Sequence, residues 1–368
     1  MRHLPAAALF AGALLVAGAA CGSGVEDEQP IGGADPDRGA IAAALSVVPA
    51  TPGASDSVLV NDLAAAAEAA GVTAPDAGAG EDELVDYFRA LSGTEGGADV
   101  AVAPSQLVQT SPIDDADWRA EVGFAPVDVT GDVSAGLPPE QVQAVFGDFD
   151  EGAVDDAVRS DPTWSDQLDE VTYGDRTFYS WGEDGAIDPQ GVSTVRRLGE
   201  STRLFVDGEA GIAYWTRTTE AMEQALDTLA GNAPSLADDP ELGPLADALD
   251  ARDAYSAIFT TDTDLFAGDG ELEPYEAVAT GAAVVDGQAQ LLLVYTHADE
   301  ASAQANADAL ATLVAEGESS RNGRPWSDVL GAGDVEVDGS LLIAAFPTEE
   351  PALWNEVMLG RDSLLTTG

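Results

Sequence analysis

Cysteine, histidine and lysine, which supply thiol and amine nucleophiles and the usual nitrogen and sulfur ligands of zinc, are nearly absent from this chain of 368 residues. Cys21 is the only cysteine, and His3 and His297 are the two histidines. Lysine is absent, because all 14 basic residues are arginines, and this excludes a lysine-containing phosphate loop and a Schiff-base mechanism. A structural zinc site needs several cysteine or histidine ligands, which this composition does not supply. We therefore predict no catalytic residue, no metal ligand and no cofactor.

Cys21 stands at the end of a segment typical of export signals. Arg2 and His3 give a short basic start, and residues 4–20 form an apolar run of small and aliphatic side chains. The stretch Leu15-Val16-Ala17-Gly18-Ala19-Ala20-Cys21 resembles the lipobox of bacterial lipoproteins, with Gly18 where that family usually has leucine. The resemblance implies cleavage before Cys21 and a diacylglyceryl group on its thiol. It also implies a protein held by lipid at the outer face of the bacterial cell membrane.

Two other interpretations of this segment stay open. Ala17-Gly18-Ala19 also fits an A-x-A cleavage site, which would release the protein and leave Cys21 as a free thiol. The apolar run could instead remain as a membrane span, although it is at the short end of the ~17–25 residues required. We predict lipidation at Cys21, a signal peptide at residues 1–20 and a flexible tether at residues 21–38, rich in glycine, proline and acidic residues.

His297 would have to serve in any Ser-His-Asp or Cys-His system, since His3 is lost with the signal peptide. It follows a predicted strand at residues 291–295, close to Asp299 and Glu300, whose charges would raise its basicity. A surface loop histidine is the simpler interpretation.

Carboxylates are so frequent that pairs of them indicate little. After Asp262 and Asp264, Phe266 and Ala267 occupy positions where a twelve-residue calcium loop needs an oxygen ligand and a glycine. Solvated loops are therefore the preferred interpretation. A weak divalent-cation site and a two-carboxylate glycoside hydrolase stay open as alternatives.

The charge of the chain limits its partners. With 67 acidic and 14 basic residues, the formal net charge is −53, which excludes nucleic acid and leaves attachment to an anionic membrane to the lipid. The acidity is typical of salt-tolerant surfaces of the halophilic type. Hydrophobic residues make up 45% of the chain, which is enough for a folded core.

One pair of arginines and the tryptophans are the remaining residues that could bind a ligand. The adjacent pair Arg196-Arg197 is interpreted as a counter-charge to neighbouring acids and not as an anion site. The tryptophans are interpreted as core anchors, in preference to a groove for sugar or peptide; they are Trp118, Trp164, Trp181, Trp215, Trp326 and Trp354.

Hydrophobic periodicity predicts an α+β fold of antiparallel hairpins with helices packed on one face. Helices are predicted at 41–45, 58–70, 82–91, 151–159, 220–229, 300–316 and 352–365, and hairpins at 203–215, 277–295 and 335–346. A hairpin followed by a helix occurs at 203–229 and again at 277–316. This order suggests two related halves, residues 39–235 and 236–368, and leaves open whether they share one sheet.

The predicted function is a non-catalytic role in binding or envelope organisation for a lipid-anchored extracytoplasmic protein. The predicted partners are the membrane, through the N-terminal lipid, and an unidentified envelope protein or glycan. The alternatives are a carboxylate-dependent hydrolase of envelope glycans and a weak divalent-cation binder.

Overall fold

The fold is an α+β arrangement built on one antiparallel sheet, as predicted. A computed structural model describes residues 38–93, 99–103, 105, 115–165 and 167–368. The signal segment, the tether up to residue 37 and Cys21 lie outside the described residues. No described helix has both the length and the apolar composition to cross a membrane.

Helices and strands are interspersed along the described residues. The helices are α1 Ala40–Leu45, α2 Leu63–Ala70, α3 Glu81–Ser92, α4 Asp115–Val122, α5 Glu151–Ser160, α6 Pro162–Ser165, α7 Thr219–Leu229, α8 Leu242–Asp250, α9 Glu300–Glu316 and α10 Leu353–Gly360. The strands are β1 Val58–Asp62, β2 Val129–Ala135, β3 Val142–Gly147, β4 Leu168–Tyr173, β5 Arg176–Trp181, β6 Thr202–Asp207, β7 Ile212–Thr216, β8 Ser256–Thr260, β9 Ala267–Leu272, β10 Ala277–Val285, β11 Gln288–Thr296, β12 Asp334–Asp338 and β13 Leu341–Pro347.

Twelve of the described strands form one continuous sheet in the order β12-β13-β11-β10-β8-β1-β2-β3-β7-β6-β5-β4. The pair β1–β8 joins two arms at its centre, so the two predicted regions share this sheet. Each arm begins with a helix and a central strand (α1–β1 and α8–β8), continues with a hairpin and a helix (β2–β3–α5 and β10–β11–α9), and ends with another hairpin (β6–β7 and β12–β13). The hairpin at 277–295 thus corresponds in position to β2–β3, and not to the hairpin at 203–215. The exact division at residue 235 stays a prediction.

Helices lie on both faces of the sheet, so the expectation of one covered face is wrong. In β11, Leu291, Leu293 and Tyr295 pack into one core layer, while Leu292 and Val294 pack into the other. A strand that is apolar on both sides needs cover on both sides. We call face A the side covered by α2–α6, α9 and α10, and face B the side covered by α1, α7 and α8.

The helix predicted at residues 58–70 is instead strand β1 followed by helix α2. The side chain of Asp62 caps α2 by accepting a hydrogen bond from the amide of Ala65 at 2.9 Å, and Gly71 ends it with φ of 68°. Residues 58–61 pair with both β2 and β8 at the centre of the sheet. These long-range pairings override the local helical pattern.

The tryptophans belong to the core, as predicted. Trp164, Trp181, Trp326 and Trp354 are at most 2% exposed. Trp215 is partly buried and packs on the same core layer as Trp181, which places both on face A.

Candidate ligand-binding cleft

A cleft of about 550 Å³ opens on face A over the central strands. Its floor includes one side chain from each of four neighbouring strands. Ile258, Leu59, Ser134 and Gln143 lie directly opposite one another in the register of β8, β1, β2 and β3. Because opposite residues in a sheet point to the same face, all four project towards face A. The volume lies within the range of ~300–1,000 Å³ common for small-molecule sites.

The neighbouring row of the sheet, which contains Asn61 and Asp132, is covered by residues 101–103, and this segment closes the cleft on that side. Asn61 donates to the backbone oxygen of Ala103 at 3.2 Å and to Asp132 at 2.9 Å, and it accepts from the amide of Ala103 at 3.1 Å. Burial raises the pKa of Asp132 to about 6, and hydrogen bonds from Asn61 and Ser105 oppose this shift. These buried polar groups hold residues 101–103 over the sheet.

The loop of residues 136–141, between β2 and β3, forms one wall. The amide of Gly136 donates to the backbone oxygen of Ser57 at 2.9 Å, and Gln141 donates to the hydroxyl of Ser134 at 2.7 Å. These bonds tie the loop to the floor. Leu137 stands at the rim with 66% of its surface exposed.

Residues 193–200 form a second wall, which is fixed from below by Arg196. The guanidinium carbon of Arg196 lies 3.7 Å from the ring centre of Trp181 and 4.8 Å from that of Trp164, and Glu121 pairs with its Nε at 3.5 Å. Gly199 has φ of +66°, and a β-carbon there would overlap the backbone oxygen of Asp188. Only glycine fits this turn.

The adjacent arginines therefore have different roles. Arg196 is fully buried against Glu121, which agrees with the predicted counter-charge. Arg197 lines the cleft on the exposed side of the loop, together with Leu198. No ion pair or hydrogen bond of Arg197 to any part of the described chain is found. The counter-charge interpretation does not hold for Arg197.

The charge balance within the cleft is opposite to that of the chain. Two arginines, Arg197 and Arg217, and one carboxylate, that of Glu200, are among the described residues that line it. Glu200 pairs with Arg217 at 3.7 Å and accepts a hydrogen bond from the amide of Leu198 at 2.9 Å. Arg197 therefore supplies a net positive charge to the cleft.

Two polar side chains of the cleft contain buried atoms without hydrogen-bond partners. They are Nε2 of Gln143, a residue that is 6% exposed, and Oδ1 of Asn355 on α10. Buried polar atoms are nearly always paired in folded proteins, and an unpaired one costs ~1–3 kcal/mol. Both residues line the cleft, but these two atoms have almost no accessible surface, so a ligand would contact them only after the side chains rotate.

His297 is buried, so the expectation of a surface loop histidine is wrong. It is 2% exposed; its Nε2 lies 2.9 Å from Nδ2 of Asn306, and its Nδ1 lies 3.2 Å from the backbone oxygen of Ser340. Asn306 is oriented by two hydrogen bonds with the backbone of Glu273, so its amide nitrogen donates to Nε2 and the proton of the imidazole lies on Nδ1. Burial lowers the pKa of His297, more than the nearby carboxylates raise it, which corrects the predicted gain in basicity. His297 does not line the cleft.

The acidic motifs have structural positions. Asp150 caps α5 by accepting hydrogen bonds from the amides of Gly152 and Ala153. Asp262 and Asp264 lie at a short 3₁₀ helix before β9. Within the ranges that the structure describes, no group of three or more histidine, cysteine, aspartate or glutamate side chains is arranged to hold a metal ion.

Sequence reasoning missed most residues of the cleft. Gln143 lies in β3 and Asn355 in α10, and no pattern in the sequence assigns either residue to a site. The floor residues come from positions up to about 200 apart in sequence, and no local motif connects them. The one available signal was the adjacent pair Arg196-Arg197 in a chain so poor in cations.

Comparison with known proteins gives little further information. No family model matches the chain, and no curated protein matches it. Among solved structures, crystal form III of TP0453 is 11% identical over 85% of this chain and 96% of that chain, with a TM-score of 0.39. Crystal form I is 13% identical over 88% and 98% of the two chains, with a TM-score of 0.37. At TM-scores this low, the similarity supports no conclusion about the function of this chain.

Proposed function

We propose that this is a lipid-anchored extracytoplasmic protein that binds a small ligand, without catalysis, in the cleft on face A. The observation that carries the proposal is Arg197, which lines this cleft without an anionic partner among the described residues. An anionic group of a ligand would pair with its guanidinium. The cleft also has a suitable volume for a small ligand.

The chemistry of the cleft favours binding over glycoside hydrolysis. Canonical glycoside hydrolases use two carboxyl groups, roughly 5–10 Å apart. Glu200 is the one carboxylate among the described residues that line this cleft, and its side chain is engaged by Arg217 and Leu198. We therefore do not extend the proposal to hydrolysis.

The anchoring part of the proposal is supported by the sequence around Cys21. Two or more acyl chains give durable membrane attachment, whereas a single chain gives marginal attachment. The tether at residues 21–38 would allow the folded body to stand off an anionic surface that repels it. The opening of the cleft would then be accessible from the extracytoplasmic space.

One set of variants tests both parts. Ser134→Trp and Asn355→Trp fill the cleft from its floor and from α10, and Thr130→Trp adds the same ring at an exposed position of β2 as a control. Binding is measured by the fluorescence of N-phenyl-1-naphthylamine, a neutral apolar probe, with thermal unfolding as the check on folding. We expect saturable binding by the wild type and by Thr130→Trp, and at least a tenfold loss in both cleft variants.

The binding part is overturned if the wild type does not bind the probe, or if both folded cleft variants bind it as the wild type does. In the same expression host, Cys21→Ala should move the protein from the membrane fraction to the soluble fraction. Retention of Cys21→Ala in the membrane would overturn the lipid anchor and favour an uncleaved span.

A further inference from the structure

We infer that the ligand of the cleft is an amphiphile with one anionic headgroup, a carboxylate or a phosphate, attached to an apolar chain. This inference rests on the proposed binding function and adds the chemical class of the ligand. It follows from the way in which polarity changes across the floor, from the position of the arginines and from the exposed side chains at the rim.

The floor changes from apolar to polar across four strands. Ile258 on β8 and Leu59 on β1 form its apolar end, whereas Ser134 on β2 and Gln143 on β3 form its polar end. The order follows directly from strand register, so it is a property of the sheet and not of loop conformation. A ligand that lies along this row therefore meets hydrocarbon at one end and hydrogen-bonding groups at the other.

Positive charge lies at the polar end. Arg217 directly follows β7, the strand paired with β3, and Arg197 is carried by the loop that leads into β6 on the same side. Glu200 partly neutralises Arg217, whereas Arg197 has no anionic partner within the described parts of the chain. Guanidinium groups form their strongest hydrogen bonds with carboxylate and phosphate oxygens. Gln143 lines the cleft at this end and adds a polar side chain beside the arginines.

The rim supplies apolar contacts for a chain. Leu137, Leu198 and Leu359 are 66%, 56% and 66% exposed, and all three line this cleft although they come from three separate segments. A single exposed leucine needs no explanation, but convergence on one opening is typical of a binding site. In a chain with a net charge of −53, an apolar rim beside an unpaired arginine is a local exception.

The charge of the remaining surface would prevent it from competing with the cleft for such a ligand. Acidic residues outnumber basic ones by 67 to 14, so an anion is repelled by most of the surface. Many of the other arginines are paired with carboxylates; examples are Arg159 with Asp155, Arg252 with Glu336 and Arg324 with Glu350. Selectivity for an anionic headgroup at the cleft is the expected result.

The test uses matched twelve-carbon amphiphiles below their micelle-forming concentrations, as competitors of bound N-phenyl-1-naphthylamine. Dodecanoate and dodecyl phosphate carry the two anionic headgroups, dodecan-1-ol is neutral, and dodecyltrimethylammonium is cationic. We expect at least one anion to compete about tenfold better than the alcohol, and the cation to compete least. The stronger of the two anions identifies the source as a fatty acid or a phosphate-bearing lipid.

Arginine variants assign the effect to the cleft. Arg197→Ala should weaken the preferred anion about tenfold and leave dodecan-1-ol unchanged, and Arg197→Lys should recover part of the loss. Arg252→Ala is the matched control, since it removes the same charge from a surface ion pair outside the cleft. The inference is overturned if the alcohol or the cation competes as well as both anions, or if Arg197→Ala binds the anions as the wild type does.

Failure of this inference can be distinguished from failure of the proposed function. If headgroup charge has no effect but Ser134→Trp and Asn355→Trp still block the neutral probe, the cleft binds ligands of another class. If these two variants bind the probe normally, the cleft is not the binding site and both proposals fail.

Discussion

The two arms of the sheet contain hairpins at corresponding positions, yet only the first arm's hairpin loop is among the described residues that line the face A cleft. In the second arm, Asp286 and Gly287 alone connect β10 to β11, with φ of 52° and 76°, as in a tight hairpin turn. In the first arm, six residues, 136–141, connect β2 to β3 and form a wall of the cleft. The longer connection changes the surface without altering the sheet beneath it.

The outer hairpins show the same difference. Between α5 and β6, the first arm contains α6, β4, β5 and the loop that carries Arg196 and Arg197. Between α9 and β12, the second arm has only residues 317–333, with one short 3₁₀ helix. The sheet that both arms share therefore supplies the floor of the cleft. Two longer connections of the first arm supply much of the walls of the cleft and its positive charge.

The largest expected effect concerns the residue that fixes the longer outer connection. Arg196→Met removes the buried partner of Glu121 and the stacking on Trp164 and Trp181, leaving a carboxylate that is 5% exposed without its cation. We expect the free energy of unfolding to fall by about 3–5 kcal/mol in urea denaturation.

Arg159→Met is the control for this loss. Arg159 pairs with Asp155 and Glu170 at the surface, where solvent screens the charges, so its replacement should cost much less than that of Arg196. Adding Glu121→Gln to Arg196→Met should recover part of the stability, because no carboxylate is then buried without its cation at this site. Equal small losses for Arg196→Met and Arg159→Met would show that the buried pair does not fix the loop.

The intermediate effect concerns the inner hairpins. Replacing residues 136–141 by Asp-Gly gives the first arm the tight turn of the second, since Ala135 and Val142 are already opposite each other. Shortening the connection from six residues to two should reduce the entropy of loop closure by about 1 kcal/mol. Binding of N-phenyl-1-naphthylamine should fall at least tenfold, because one wall of the cleft is lost.

The reciprocal exchange is the control. Inserting the six residues of the first arm in place of Asp286 and Gly287 should destabilise the protein by about 1 kcal/mol and leave probe binding unchanged. If the shortened protein is folded and still binds the probe fully, the loop of residues 136–141 is not part of the site. The different lengths of the two inner hairpin connections would then be unrelated to binding.

Local signals in the sequence predicted the elements that depend on local physics. The helix predicted at 82–91 is α3, which buries Leu84, Tyr87, Phe88 and Leu91 along one stripe, and the hairpin predicted at 277–295 turns at Asp286 and Gly287. These elements carry their own periodicity, caps or turn residues.

Features that depend on distant partners were missed. The strand β1 was taken for a helix because its partners, such as Val133 and Ala257 opposite Val60, are about 70 and 200 residues away. Likewise, only the packing of Trp164 and Trp181 decides which of the two adjacent arginines turns inward. The candidate cleft combines both kinds of information, so the sequence alone did not reveal it.

The smallest expected effect is a pH dependence of stability that comes from a buried group of the second arm. The first arm exposes Arg197 in its cleft, whereas the second arm buries His297 as a neutral imidazole. Burial lowers the pKa of His297, while the hydrogen bond to Ser340 and the charges of Glu276, Asp299 and Glu273 oppose this shift. In the unfolded chain the imidazole of His297 takes up a proton near pH ~6.5, whereas in the folded protein its pKa is lower and it is still neutral at this pH. The stability contributed by His297 is therefore fully present above about pH 6.5 and is lost as the pH falls towards the folded pKa.

His297→Gln keeps one donor and one acceptor at this site but cannot take up a proton. Urea denaturation of both proteins between about pH 7.5 and pH 5 cancels the titration of the many shared carboxylates. We expect the wild type to lose stability relative to the variant as the pH falls, by ~1.4 kcal/mol for each unit by which the folded pKa is lowered. Parallel stability curves would mean that the folded protein accepts the proton readily. The hydrogen bond from Asn306 to Nε2 argues against this, because a protonated ring would place two donors against each other.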